Sequence, residues 1–321
     1  NLYGLDIDDR AAQLAAFALL MKARADDRRL FTDPPQLNAR SLQESKGFDV
    51  DELATHLAPF GLQRALLKML LDTFENTKTF GSLTQIPRDL ERGLADMTSR
   101  LAQALQNGDM YAQQASRDLL PFTLQALILG TKFDAVVANP PYMGNKAMNQ
   151  LLKDFAGRSY PNSRTDLFAM FIEKGLNWCK PSGKSSMISM DAWMFAPAYV
   201  EFRERILREA AISSLAHFGP RAFDSISGEV VSTVAFSLDT IAAPKGRPVF
   251  FRLVSGRSEI EKSQMLADQS PRFANHTQTS FFDVTGSPLA YWLSDGFIRR
   301  MKDWRPLKEL AEPRSGLTTG D

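Results

Sequence analysis

Four consecutive residues, Asn139-Pro140-Pro141-Tyr142, bring the most specific chemistry in this sequence to one point. They follow an apolar run at 133–138 (FDAVVA) that reads as a buried strand. A strand ending this way delivers a side-chain amide, backbone carbonyls with little N–H competition beside them, and an aromatic ring. The competing reading is a strand closed by a proline-stiffened turn. A second group stands near the start, where the apolar stretch 2–8 (LYGLDID) ends in Asp6 and Asp8 and is followed by helical spacing over 9–25. In a doubly wound nucleotide fold, a carboxylate at such a strand end accepts both hydrogen bonds of a ribose diol. Asp6 is the candidate, with Asp8 better placed to cap the helix; the alternative is that both aspartates only cap.

Other chemistries find little support. Cys179 is the only cysteine, so disulfides within the chain are excluded and a reducing, cytoplasmic compartment is expected, with the thiol buried and inert near a helix end. His56, His217 and His276 lack ligand spacing, and no structural zinc is expected. No apolar run approaches the ~20 residues of a membrane span, and no membrane partner is expected. The first residues carry no signal-peptide features and no initiator Met, as if cut from something longer.

The elements that must position these groups can be read from periodicity. The strand at 2–8 is expected to be buried, and its helix is apolar nearly all round. A weak third strand falls within 34–42. From 49 to 130, apolar residues recur at helical spacing, which predicts an all-α insertion. Residues 143–161 read as a polar loop placed where an active-site lid would sit. Thr165-Asp166 predicts the cap of a helix over 167–179 that stops at Lys180-Pro181-Ser182-Gly183. Strands are expected at 185–190 and 212–218, with a charged helix between them at 199–209. Runs at 230–238 and 249–254 are expected to form a terminal hairpin. Aromatics interleave with arginines over 255–304, a pattern that can stack bases but is better read as a packed cover on the core. Pro306-Leu307 and the stretch from Pro313 to the end read as the entrance to a further domain. The fold class is therefore α/β, a doubly wound sheet carrying a helical insertion.

Composition is permissive. The chain has 321 residues, 44% of them hydrophobic, enough for a large core. Its 38 basic and 37 acidic side chains create no overall field for a polyanion. Residues 1–130 hold 14 basic and 17 acidic groups, leaving a slight basic tilt in the remainder that decides nothing.

Taken in order, the strand-acid-helix start, FDAVVANPPY, DLFAMFIEKGLNWCKPSG and GPRAFDSISGEVVSTVAF resemble the catalytic domain of N6-adenine DNA methyltransferases. Among these, the large methyltransferases of BREX-type phage-defence systems are most similar. The resemblance covers most of 1–305 outside the helical insertion. It implies a Rossmann-like class I methyltransferase sheet, S-adenosylmethionine as cofactor, double-stranded DNA as partner, and association with other phage-defence subunits or a phage inhibitor. Asn139, Pro140, Pro141 and Tyr142 match the catalytic motif. Asp6, with Ile7, matches the ribose-binding acid, and Phe171 matches an aromatic that packs on the cofactor's adenine. Phe223 matches the ring that, opposite Tyr142, stacks the flipped base. The tail GLTTGD is similar to the opening of a target-recognition domain.

Two departures stand out. Where relatives carry an acid after the third strand, this sequence offers Arg40 beside Ser41, so Ser41 becomes the candidate cofactor contact. The family's first strand and glycine-rich loop are missing, since no Gly-x-Gly precedes Gly61, and the expectation is a half-built cofactor site in an inactive portion. Two alternatives stay open: protein glutamine methyltransferases use the same motif on a planar amide, and the chain could serve as a non-catalytic scaffold.

Overall fold

The computed structural model describes residues 2–32, 34–35, 37–223, 231–240, 247–305 and 307–311. They form two compact units, Asn1–Lys132 with Asn149–Phe155, and Phe133–Met148 with Ala156–Asp321. The tail GLTTGD lies outside the described residues.

In the first unit, β1 (Tyr3–Asp6) pairs in parallel with β2 (Asn38–Ser41), joined through α1 (Asp9–Asp26). Asp8 caps α1 by accepting the Ala11 N–H, as its position predicted. The expected burial of this strand and helix is corrected. β1 is largely exposed, and Ala12 is the only buried residue of α1, with Leu14 67% and Phe17 59% exposed. Two four-residue strands make too small a face to cover an apolar helix. The predicted helical region is observed as α2 (Val50–Leu57), α3 (Arg64–Phe74), α4 (Thr77–Phe80), α5 (Arg88–Asn107) and α6 (Met110–Gly130). Buried Leu90, Leu94, Met97, Leu101 and Ala104 run down one face of α5, the stripe that seats a helix on its neighbours.

The second unit is built on a six-stranded sheet. Its elements are β3 (Phe133–Ala138), the end of α7 (Gln150–Ser159), α8 (Leu167–Trp178), β4 (Cys179–Met190), α9 (Val200–Glu209), β5 (Ala211–Gly219), β6 (Thr233–Asp239), β7 (Val249–Arg252), α10 (Glu259–Ala267), β8 (Arg272–Phe273), α11 (Asp295–Asp303) and α12 (Leu307–Leu310). The spatial order is β3-β4-β6-β5-β7-β8. β3 runs parallel to β4, and β5 parallel to β7, while β6 lies antiparallel between β4 and β5. β3, β4, β5 and β7 therefore share a direction, and their carboxyl ends lie along one edge. The expected hairpin of 230–238 with 249–254 is corrected: β6 pairs with β5, and β7 pairs with the far side of β5 in parallel. A chain segment leaving an interior strand has only the free edge left to join.

β3 is also less buried than its composition predicts, with Val137 80% exposed, because it pairs only with β4 among the described residues. Phe168, Met187, Trp193, Phe202, Leu215, Val234, Phe236 and Phe250 form the core, with α8 and α9 contributing one wall. Part of the 255–304 segment packs on the core, while Phe282, Trp292, Phe297 and Trp304 are exposed. Phe281 and Tyr291 are fully buried, and Tyr291 stacks on Phe250 at 4.6 Å. No helix among the described residues is long and apolar enough to cross a membrane.

At the end of β5, Gly219 has φ +69°, and a Cβ there would stand 2.2 Å from Val254 Cγ1. A side chain at this position meets both a left-handed backbone and a filled space. Gly219→Ala is expected to destabilise the protein by about 2 kcal/mol or more, read from denaturant unfolding.

Candidate active site

β3 ends at Ala138, and of the next four residues only one turns to the core. Asn139 is exposed and Pro140 buried, while Pro141 and Tyr142 are exposed. The Asn139 side chain is bound by no other described residue, so its amide oxygen is available. Successive prolines remove two backbone donors, leaving a turn rich in acceptors.

What fixes this turn is the carboxylate of Asp166, one of the residues the sequence reading assigned only to capping. It does cap α8, accepting the Phe168 N–H at 3.2 Å, but it also accepts the Met143 N–H at 3.0 Å, next to Tyr142. The flanking backbone reinforces the contact: Leu167 N–H donates to Met143 O at 3.1 Å and Asn145 N–H to Thr165 O at 3.0 Å. Burial pushes the Asp166 carboxyl above its usual range, against the backbone N–H groups that hold it down. The Tyr142 ring meets Phe168 edge-on at 6.3 Å, and burial raises its phenol. Tyr199, fully packed nearby, is pushed up to about 12 by burial and by the Asp166 charge.

The expected lid at 143–161 is not an irregular loop. It contains a 3-10 turn, Asn145–Ala147, and the helix α7. Its end is tied down where Ser163 Oγ donates to Glu173 at 2.8 Å, and Glu173 in turn pairs with Arg205 at 2.8 Å.

Phe171 is half-buried on α8, between the buried Met170 and Ile172. Phe223 is 37% exposed, four residues beyond the end of β5. Sequence reasoning passed over a polar chain at the same sheet edge. Asp191 Oδ2, just past β4, receives Ser232 Oγ at 2.5 Å and lies 2.8 Å from His217 Nε2, whose Nδ1 is 2.9 Å from the Tyr291 hydroxyl. Burial alone would raise the Asp191 carboxyl, but the hydrogen bonds from His217 and Ser232 bring it below its usual value. The signal available in sequence was the acid at a predicted strand end.

Asp6, Ile7 and Ser41 belong to the other unit. Asp6 and Ser41 face one another as register partners of β1 and β2. Asp6 Oδ1 accepts the Asp8 N–H at 2.8 Å, and no described residue engages Oδ2. An exposed carboxylate with a free oxygen fits the donor pair of a ribose diol. Ile7 is 49% exposed, and its carbonyl accepts Lys78 Nζ at 2.5 Å. Ser41 accepts from Gln43 at 2.8 Å. Hydrogen bonds from Ser41, Gln43 and Lys78 hold the neighbouring Asp9 carboxyl at about 2. A cavity of about 310 Å³ lined by Asp9, Arg40, Ser41, Gln43 and Gln125 lies beside this network but includes neither Asp6 nor Ile7. Its lining comes mainly from α1, β2 and α6. Among the described residues, no His, Cys, Asp and Glu cluster could hold a metal ion, and Cys179 is buried as expected.

The Eco57I restriction-modification methylase family model matches residues 1–223. The chain is 41% identical over 320 residues to the adenine-specific methyltransferase BrxX of Escherichia coli O9:H4 (strain HS), covering 93% of this chain and 26% of the relative. It is 32% identical over 342 residues to the adenine-specific methyltransferase PglX of Lacticaseibacillus casei (strain Zhang), covering 100% of this chain and 27% of that protein. It thus spans about a quarter of the length of these curated relatives. Among solved structures, a putative class I S-adenosylmethionine-dependent methyltransferase from Listeria monocytogenes matches with a TM-score of 0.33 and 14% identity, over 71% of this chain and 81% of that one. The resemblance drawn from the motifs is borne out by these relatives, and the chain belongs to the Eco57I restriction-modification methylase family.

Proposed function

We propose that this chain carries the base-accepting part of a DNA adenine-N6 methyltransferase acting in phage defence or restriction-modification. One observation carries the reading: an exposed, unengaged Asn139 amide leads into a proline-stiffened turn that Asp166 anchors immediately after Tyr142. Family membership and the adenine-specific names of the relatives favour a nucleobase over a protein amide as substrate.

Adenine N6 is a poor nucleophile because its lone pair is delocalised into the ring. The Asn139 side-chain oxygen and the Pro140 carbonyl would each accept one N6–H, favouring a pyramidal nitrogen whose lone pair points outward. No base is needed before attack; the extra proton on the methylated nitrogen passes to solvent afterwards. Pro141 and the Asp166–Met143 bond hold the backbone of the turn before substrate arrives, so part of the cost of ordering the site is met in folding. Tyr142 and Phe223 would hold the base from its two faces, which requires that it leave the duplex. S-adenosylmethionine, when bound, supplies an electrophilic methyl group. Asp6 would take its ribose, with Ile7 and Ser41 beside it and Phe171 against the adenine. A substrate of chromosomal or invading DNA implies a cytoplasmic location.

In the full-length protein, Asn139→Ala is expected to abolish N6-methyladenine while DNA retention persists; long-read sequencing showing unchanged methylation would overturn the assignment. Asp6→Ala should weaken S-adenosylmethionine binding by about tenfold or more, the loss of a charge-assisted pair of hydrogen bonds, measured by calorimetry on the full-length protein. Equal affinity would remove Asp6 from the cofactor site.

A further inference from the structure

β5 ends at Gly219 and β6 begins at Thr233; Phe223 lies four residues past the first and Ser232 one residue before the second. The last ladder pairs at this edge are Met190 with Thr233 and Gly219 with Thr233. The Asp191 side chain adds a link beside this ladder, in which His217 itself pairs with Val234: Oδ2 receives Ser232 Oγ from the returning stem at 2.5 Å and lies 2.8 Å from His217 Nε2 on the outgoing stem. The Asp191 N–H also donates to Ser232 O at 3.0 Å. We propose that Asp191 is a positioning residue for Phe223, clasping with one carboxylate oxygen both stems of the segment that carries the ring.

The arrangement has the three residue types of a nucleophilic triad, but not its order. In such a triad the imidazole stands between hydroxyl and carboxylate. Here the carboxylate stands between the other two, and His217 turns its second nitrogen to the Tyr291 hydroxyl at 2.9 Å. No hydroxyl is activated; two stems are joined.

A clasp works only if its own base is fixed. Asp191 opens a 3-10 turn, Asp191–Met194, whose Trp193 carbonyl accepts Arg203 Nη1 at 2.8 Å. Arg203 is 1% exposed and is satisfied wholly by carbonyls, including Ala196 O at 3.2 Å and Ser287 O at 2.9 Å. On the outgoing stem, the buried Lys262 donates to Phe218 O at 2.6 Å and Leu253 O at 3.0 Å, and Gly219 abuts Val254. The carboxylate adds a side-chain link to the Gly219–Thr233 ladder pair that joins the returning stem to the outgoing one.

The inference rests on the proposed role of Phe223, so its test pairs a structural readout with a catalytic one, in the full-length protein. The peptide bond after Arg221, an exposed residue, reports on the clasp through limited trypsinolysis followed by mass spectrometry. Asp191→Asn is expected to speed cleavage there about fivefold or more, reflecting easier local opening. The same variant should lower kcat for methylation of the protein's own target adenine by about tenfold to a hundredfold, the cost of misplacing a positioned group, with KM for DNA little changed. Ser232→Ala, which removes one bond and disturbs packing least, should move both readouts the same way to a smaller extent. His217→Gln keeps an N–H donor in the Nε2 position and should stay near wild type, while His217→Leu should follow Asp191→Asn. Unchanged cleavage in Asp191→Asn and Ser232→Ala would overturn the clasp. Faster cleavage with full methylation, while Phe223→Ala abolishes it, would overturn the positioning role. Full methylation by Phe223→Ala would instead sink the reading of Phe223, and the positioning role with it.

Discussion

The placement of β6, antiparallel between β4 and β5, is the constraint on which the second unit depends. It occupies the slot that would otherwise bring the ends of β4 and β5 side by side. Groups at those two ends, Asp191 and His217, must therefore reach across the start of β6 to meet. The same placement sends β7 to the outer edge of β5, giving four co-directed strands whose carboxyl ends line one side of the sheet. In open α/β sheets that side is where ligands bind, because the loops leaving it need satisfy no further ladder and can diversify.

Those loops are held by charged groups satisfied mainly by the backbone. Asp166 grips two N–H groups, while Arg203 and Lys262 grip carbonyls. Burying each charge is costly, and burial accordingly lowers the lysine and arginine pKa and raises that of Asp166. The compensation is geometric. A carbonyl bound by a buried cation cannot trade it for water without exposing a hole in the core, so each charge fixes a turn that apolar packing alone would leave adjustable. Asp191 differs in that its partners are side chains, and there the hydrogen bonds outweigh burial.

Much of this was legible in the sequence because it is local. Asp8 and Asp166 cap the helices their spacing predicted, and the apolar runs of β3, β5 and β6 are strands. What was not legible depends on neighbours. The run FDAVVA cannot say whether one strand or two will flank it, and Val137 is exposed because only one does among the described residues. Composition gives the alternation of 249–254 but not whether it continues a hairpin or joins another edge. The polar chain failed for the same reason: Asp191, His217, Ser232 and Tyr291 are separated in sequence by up to a hundred residues, and His217 alone looks like a stray core histidine. Asp166 was found as a cap and missed as an anchor, since its second partner, Met143, lies across a segment that periodicity treated as loop.

The exposure of Asn139 follows from the same balance of desolvation against partners. A primary amide buried without partners costs free energy that a short turn cannot recover, whereas the same amide in water costs nothing. A site meant to accept two N–H groups from a substrate must therefore keep its acceptors wet until the substrate replaces the water. The turn meets that condition at the Asn139 amide, which stands outside, while Pro140, with no N–H donor to satisfy, packs inward. Its rigidity comes from the neighbouring Asp166 and not from bonds to the amide itself. The backbone that carries the amide is held while the amide itself is left unused, which is the property that an unsatisfied group needs before it can favour one geometry of an incoming partner over another.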